Sequence, residues 1–204
     1  MSRIISGFAD HLQLAVPRSG TRPTSDRVRE ALFSALDARD EIRGRRVVDL
    51  YAGTGGLGLE AASRGAASVV LVERAASAAR VLRRNADAVL ARAPRGAAPR
   101  VDVVTQPVRS WLAQSSTTVD LVFLDPPYEL GADDLAADLA ALVPLLAPDA
   151  LVVVERASRS GEPTWPEGLA LDVSRSYGDT TLWWALADGA PEAPVQPASP
   201  DQPR

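Results

Sequence analysis

The chain of 204 residues contains no cysteine and no lysine, a single methionine and a single histidine. Without cysteine there is no disulfide scaffold, no cysteine-ligated zinc, no iron–sulfur cluster and no thiolate nucleophile. A serine–histidine–aspartate triad would have to use His11, close to the N-terminus. No apolar run approaches the ~20 residues that cross a bilayer, and the opening MSRIISGFAD lacks the apolar core of a signal peptide. A monomeric cytoplasmic protein with no membrane partner is the expectation.

What is present fits one ordinary domain, with 46% apolar residues to fill its core. The net charge of −4 hides an asymmetry. Residues 1–115 hold 18 Arg against 11 Asp and Glu, whereas residues 116–204 hold 4 Arg against 15 acids. An acidic chain can therefore still meet a polyanion with its first half, although many of these Arg can equally be solvated helix faces.

Short β-rich runs alternate with helix-length Ala/Leu/Arg segments, the pattern of a parallel sheet covered by helices. Strands are predicted over 46–50, 68–73, 100–104, 119–124, 150–155, 169–175 and 180–187. Helices are predicted over 25–38, 57–64, 75–91, 107–114 and 133–146. Only Ser176, Tyr177, Gly178 and Asp179 join the last two strands, too few for a parallel crossover, so these form an antiparallel hairpin in a mixed sheet. From Asp188 onward the Pro-rich, apolar-poor sequence predicts a disordered tail over 188–204. The organisation expected is an N-terminal extension over 1–22 and one domain over 23–187.

The first strand runs into Asp49-Leu50-Tyr51-Ala52-Gly53-Thr54-Gly55-Gly56-Leu57-Gly58, a glycine-rich turn that opens a helix. Gly53, Gly55 and Gly58 match G-x-G-x-x-G, and glycines there permit a sharp turn and a close ligand approach. Glu73 follows Gly53 by 20 residues and ends the second strand, where a carboxylate accepts from ribose hydroxyls. The pair points to a cofactor containing a nucleoside. Asp49 separates the candidates: at the strand's C-terminal edge its carboxylate would attract a cationic amino group and repel a pyrophosphate. That favours S-adenosylmethionine, which carries an ammonium and a sulfonium, over NAD, and D-x-Y-A-G-T-G resembles motif I of class I methyltransferases.

The apolar run 121–124 ends in Asp125-Pro126-Pro127-Tyr128. Two prolines cannot continue a central strand, so the chain leaves the sheet there, with Asp125 on the same rim as the glycine-rich turn. DPPY resembles motif IV of methyltransferases acting on exocyclic amines of bases. The chemistry explains the residue types, because such an amine is a poor nucleophile whose lone pair is delocalised into the ring. The Asp125 carboxylate and the Pro126 carbonyl can accept its two N–H bonds, pyramidalise the nitrogen and aim the lone pair, while the Tyr128 ring stacks on the extruded base. No metal is required.

Arg22-Pro23-Thr24-Ser25-Asp26-Arg27-Val28-Arg29-Glu30-Ala31-Leu32-Phe33, DLYAGTGGLGLEAASRGA, DPPY and the late YGDTTLWW together resemble the family that methylates N2 of guanine 966 in bacterial 16S ribosomal RNA. The similarity runs from about residue 3 to residue 187. It implies an α/β, Rossmann-like class I methyltransferase fold with a seven-stranded mixed sheet, helices on both faces and a small N-terminal hairpin. It also implies S-adenosylmethionine as donor, and 16S RNA within the small subunit or its assembly intermediate as partner. Carried over, the resemblance assigns Asp49, Gly53 and Gly55 to the amino-acid end of the cofactor and Glu73 to its ribose, with Tyr51, Thr54 and Arg74 in the same binding set. Gln106 falls where the family often has an acid near the adenine, and its amide can donate or accept there. Asp125, Pro126, Pro127 and Tyr128 hold the guanine.

The family's basic stretch before RPT is here Ala9-Asp10-His11-Leu12-Gln13-Leu14, without Arg. Arg18, Arg22, Arg27 and Arg29, with Thr24, are left as the RNA-binding candidates, and His11 reads as a solvated hairpin side chain. Two other functions stay open on sequence grounds. A DNA amino methyltransferase would share DPPY but would need a base-reading domain, and 57–119 holds only core elements. A non-catalytic nucleotide-binding module would not need Asp49, Glu73, Asp125 and Tyr128 together.

Overall fold

A computed structural model describes residues 2–16 and 26–189; Arg18, Arg22, Thr24 and the chain from 190 onward lie outside them. Strands β1 (Ser2–Arg3) and β2 (Gln13–Leu14) pair as a small antiparallel hairpin. The main sheet contains β3 (Arg46–Leu50), β4 (Ser68–Val72), β5 (Arg100–Val104), β6 (Val119–Leu124), β7 (Leu146–Ala157), β8 (Leu169–Tyr177) and β9 (Thr180–Ala187). Its order is β5-β4-β3-β6-β7-β9-β8, parallel through β7, with β9 antiparallel to both neighbours. The chain starts at the centre, moves out through β4 and β5, and returns to place β6 on the other side of β3. The C-terminal ends of β3 and β6 thus flank the point where strand order reverses, the crevice in which open α/β sheets bind ligands.

Residue parity along the strands builds two cores. Val47 and Phe123 face one side, where α1 (Asp26–Ala38), α2 (Gly58–Ser63) and α3 (Ala76–Leu90) contribute Phe33, Leu36, Leu59 and Leu82. Val48, Leu50 and Val122 face the other, under Trp111, Leu112 and Leu139 of α4 (Val108–Gln114) and α5 (Ala132–Leu142). Near-continuous apolar strands are what burial on both faces demands.

Two boundaries differ from the expectation by four residues, and the last hairpin is tighter than expected, β8 running on to Tyr177 so that only Gly178 and Asp179 link it to β9. The helix predicted over 133–146 ends at Leu142, and Pro144 lies in a 3₁₀ turn over Val143–Leu145. Proline has no N–H to continue the α-helical ladder. Strand β7 then begins at Leu146, before the predicted 150, because its register against β6 slips between Val119/Leu121 and Leu146/Leu151, a bulge that period-two patterning cannot show.

The hairpin is seated on α2 by polar bonds. The buried Glu60 carboxylate accepts from the N–H of Ile5 (2.6 Å) and Ser6 (3.0 Å), and Ser63 Oγ accepts from Ala9 N–H at 2.9 Å. His11 sits in the hairpin turn with its side chain 76% exposed. The structure corrects the reading of Arg29. It heads the apolar stripe Arg29, Leu32, Phe33, Leu36 of α1 and is 2% exposed. Its guanidinium donates to Arg3 O (2.8 Å), Gly56 O (3.2 Å) and Asp26 Oδ1 (2.7 Å), so it stitches hairpin, helix and glycine-rich turn instead of facing RNA. Arg27 is exposed. Arg29→Ala should destabilise the fold by about 2–4 kcal/mol, since two carbonyls lose a charged donor. Urea unfolding would show this as a lower midpoint at unchanged slope, and a midpoint within error of the parent would mean that the stitch is dispensable.

Candidate functional site

The site is built from the C-terminal ends of β3, β4 and β6. Asp49 is the penultimate residue of β3, between Leu71 of β4 and Phe123 of β6, and is 2% exposed. Its Oδ2 accepts the Gly58 N–H at 2.8 Å, which fixes where α2 begins. The backbone then reverses through Tyr51 (φ 67°), Gly53 (φ 54°) and Gly55 (φ 83°). Glu73, one residue beyond β4, ties down the turn: its carboxylate accepts from Gly53 N–H (3.0 Å) and Ala75 N–H (2.7 Å).

The three glycines of the motif have different duties. A Cβ on Gly58 would lie 2.3 Å from Leu71 Cδ2, and one on Gly55 2.6 Å from Leu82 Cδ1, so both are required by packing inside the protein. A Cβ on Gly53 would meet nothing nearer than Tyr51 O at 3.9 Å. Gly53 is therefore the glycine whose free side opens toward the rim, where a ligand can approach the backbone. Thr54 is buried, and its carbonyl accepts from Asn85 Nδ2 at 2.9 Å. The Tyr51 phenol does not turn to the rim; it donates to the buried Asp138 carboxylate of α5, which Arg109 also reaches at 3.2 Å. Burial, then the bond to Asp138, holds this phenol well above its ordinary pKa. Arg74 is exposed beside Glu73, and Gln106 is half-buried just past β5.

Asp125 and Pro126 are half-buried directly after β6, and Pro127 and Tyr128 are exposed, with Tyr128 at 64%. Proximity shows in the electrostatics. Burial pushes the Asp49 carboxyl up to about 7, the Gly58 N–H bond opposes this, and the charges of Asp125 and Glu73 add to the rise. The motifs at the ends of β3, β4 and β6 thus form one acidic rim. Among the described residues no group of three or more acids and histidine draws close enough to hold a metal ion. The arrangement suits an organic cation, and it has no basic residue posed for a pyrophosphate in the turn itself. A recess of about 490 Å³ lies at the opposite end of the strands, between Gly65 to Ala67 and Pro94 to Pro99, away from this chemistry.

Sequence reasoning missed Asn85 and Asp138. Each is a polar residue in a buried helix stripe, Leu82-Asn85-Ala86-Val89 and Leu135-Asp138-Leu139-Leu142, and each reaches a residue of the glycine-rich turn. That break in the stripe was the available signal.

The raised pKa of Asp49 gives a pH signature for binding a cation such as S-adenosylmethionine. A nearby positive charge favours ionised Asp49, so binding releases a proton; affinity should be full above about pH 8 and fall as pH drops through 7, by up to roughly tenfold per unit. Titration calorimetry in buffers of different ionisation heat reads the proton directly. Asp49→Asn should flatten the profile, and a pH-independent affinity in the parent protein would remove Asp49 from the ligand's field.

Comparison with known proteins agrees with this geometry. The sequence model of a family described as "Conserved hypothetical protein 95" matches residues 2–185. Ribosomal RNA small subunit methyltransferase D of Escherichia coli K12 is 36% identical over 194 residues, spanning 94% of this chain and 93% of that one. The Haemophilus influenzae protein of the same name is 35% identical over 75% of this chain and 77% of its own length. Among solved structures, Escherichia coli yhhF superimposes with a TM-score of 0.79 at 33% identity, covering 92% of this chain and 98% of that chain. Magnesium protoporphyrin IX methyltransferase of Synechocystis, solved with bound S-adenosylmethionine, shares the fold at 18% identity with a TM-score of 0.62, over 83% of this chain and 87% of that one. On the family match and the extent of these identities, the chain belongs to the Conserved hypothetical protein 95 family, with the ribosomal RNA small subunit methyltransferase D proteins as its relatives.

Proposed function

We propose that the protein transfers the methyl group of S-adenosylmethionine to the exocyclic N2 amine of a guanine in 16S ribosomal RNA, guanine 966 by family resemblance. The observation that carries the proposal is the placement of two unrelated motifs on one rim. The turn after β3 with its Glu73 tie meets Asp125-Pro126-Pro127-Tyr128 after β6, at the reversal of strand order. The relatives' names support RNA of the small subunit as the substrate.

The residues fit the donor. Gly53 leaves backbone open to a ligand, Glu73 offers carboxylate lone pairs at the end of β4 for ribose hydroxyls, and the negative field of Asp49 and Glu73 favours a cation. When bound, S-adenosylmethionine supplies an electrophilic methyl group that departs from a sulfonium and leaves a neutral thioether. The protein's own part is positioning. Asp125 and the Pro126 carbonyl accept the two N–H bonds of the guanine amine, which draws its lone pair out of conjugation and aims it along one direction. The exposed Tyr128 ring offers a stacking face to a base taken out of its loop. The proton lost from nitrogen after transfer passes to Asp125 or to water.

Tritium transfer from labelled S-adenosylmethionine to under-methylated small subunits, free 16S RNA and duplex DNA tests the proposal. Counts in the RNA, mapped to one guanine, support it; counts in DNA alone overturn it. In the same assay Asp125→Ala should slow single-turnover transfer by about 10² to 10³ while leaving donor affinity nearly intact. Tyr128→Ala should weaken substrate binding by roughly 1–3 kcal/mol, and Tyr128→Phe should keep most of it because a ring face is involved. Equal damage by both Tyr128 variants would replace stacking with a hydrogen bond from the phenol.

Removal of charge at Arg27 provides a separate check on the RNA face. Arg27→Gln should lower the salt slope of RNA binding by roughly 0.7 for a single-stranded contact. An unaltered slope would return Arg27 to the solvated surface of α1.

A further inference from the structure

Tyr128 is not alone at the rim. The guanidinium of Arg159 lies over one face of its ring, 4.6 Å from the centroid. Arg159 belongs to the short 3₁₀ segment Ser158–Ser160 that follows β7, the strand parallel to β6. That segment is pinned to the turn between β8 and β9. Ser158 N–H donates to Asp179 O (2.8 Å), and Ser158 Oγ bonds Gly178 O (3.2 Å) and shares a hydrogen with Thr181 Oγ1 (2.9 Å). Arg159 is exposed, and no described carboxylate lies within ion-pair distance of it. It is also one of only 4 Arg in the acidic stretch 116–204.

A guanidinium held over a ring by its positive charge still carries N–H donors that the ring does not satisfy as hydrogen bonds and that an anionic acceptor can take. The energy of an exposed cation–π contact is small, so the pair does little for the fold. We propose that Arg159 is a substrate-binding residue, which grips the phosphate of a nucleotide adjoining the target base while Tyr128 stacks on that base. This rests on the reading of Tyr128 given above. Stacking fixes which part of the RNA Arg159 reaches. With base and guanidinium on opposite faces of the ring, the base stacks roughly 3.5–4 Å beyond one face while Arg159 Cζ lies 4.6 Å from the centroid on the other. Hydrogen bonds span about 3 Å, so the fork cannot read the edge of the stacked base, and the neighbouring backbone is within its range.

Arg159→Ala, Arg159→Lys and Tyr128→Ala would be compared in the full chain, using binding to an unmethylated 16S RNA fragment over a salt series and single-turnover methyl transfer. Arg159→Ala should weaken RNA binding about tenfold, the lower end for a charge-assisted contact, and lower the salt slope by roughly 0.7. Donor affinity should stay at the parental value, which also reports an intact fold. Arg159→Lys should keep the slope but recover only part of the affinity, since an ammonium lacks the planar fork. An unchanged slope and affinity for Arg159→Ala, with Tyr128→Ala damaged, would overturn the role of Arg159 alone. If Tyr128→Ala also bound and methylated RNA normally, the stacking reading itself would fall, and Arg159 with it. If the parent protein methylated no RNA, the proposed function would fail independently of either residue.

Discussion

The bond from the Asp49 carboxylate to the Gly58 N–H is the constraint on which the site depends. It joins the end of the central strand to the first residue of α2, and so fixes the span that the chain between them must close. A buried carboxylate in apolar surroundings is costly, and one backbone donor offsets only part of that cost. Here burial wins, and the group is poised near pH 7, short of full ionisation. In the free protein this is a destabilising residue as pH rises from the ordinary carboxylate range toward 7. A cation on the rim converts the same residue into a favourable one, so the cost to the fold and the preference for a positively charged ligand have a single origin.

The turn so created is braced from both sides by buried polar side chains that also hold the N-terminal segment. Asn85 donates to Thr54 O and exchanges bonds with Ala15 N–H and O at 2.9 and 3.0 Å. Arg29 donates to Gly56 O and to Arg3 O. The opposite face is held by the Tyr51 bond to Asp138, which keeps a non-glycine residue at φ 67°. Such a conformation persists where the surroundings over-determine it, and three separate braces do so here. The hairpin is accordingly part of the scaffold that shapes the glycine-rich turn, not an appendage hung beside it.

The legible features were those written in local periodicity or in a run of special residues. Short β-rich apolar runs marked the sheet strands, the four-residue link 176–179 forced the antiparallel end, and the acid, glycine and proline motifs marked one rim of the sheet. The illegible ones depend on contacts between distant segments. Arg29 shares the helical phase of Leu32, Phe33 and Leu36, but a guanidinium is kept there by the carbonyls of Arg3 and Gly56, which come from two other segments. The early start of β7 comes from a register slip against β6, which no single-segment pattern contains. Arg159 has no motif at all; it matters because a strand end and a hairpin turn set it over Tyr128.

The glycine motif shows how sequence and function can agree for partly different reasons. Read as a ligand fingerprint, G-x-G-x-x-G suggests three positions that clear space for a cofactor. In this protein Gly55 and Gly58 clear space for leucines 59, 71 and 82, and Gly53 alone faces open rim. The two packing glycines bring helix and strands close enough for the Asp49 bond to form, and that bond sets the turn from which Gly53 projects. The fingerprint is therefore specific because core packing and ligand approach are solved by one short stretch of chain. For a ligand on the rim, a substitution at Gly58 would act through Asp49, whereas one at Gly53 would act on the face it approaches.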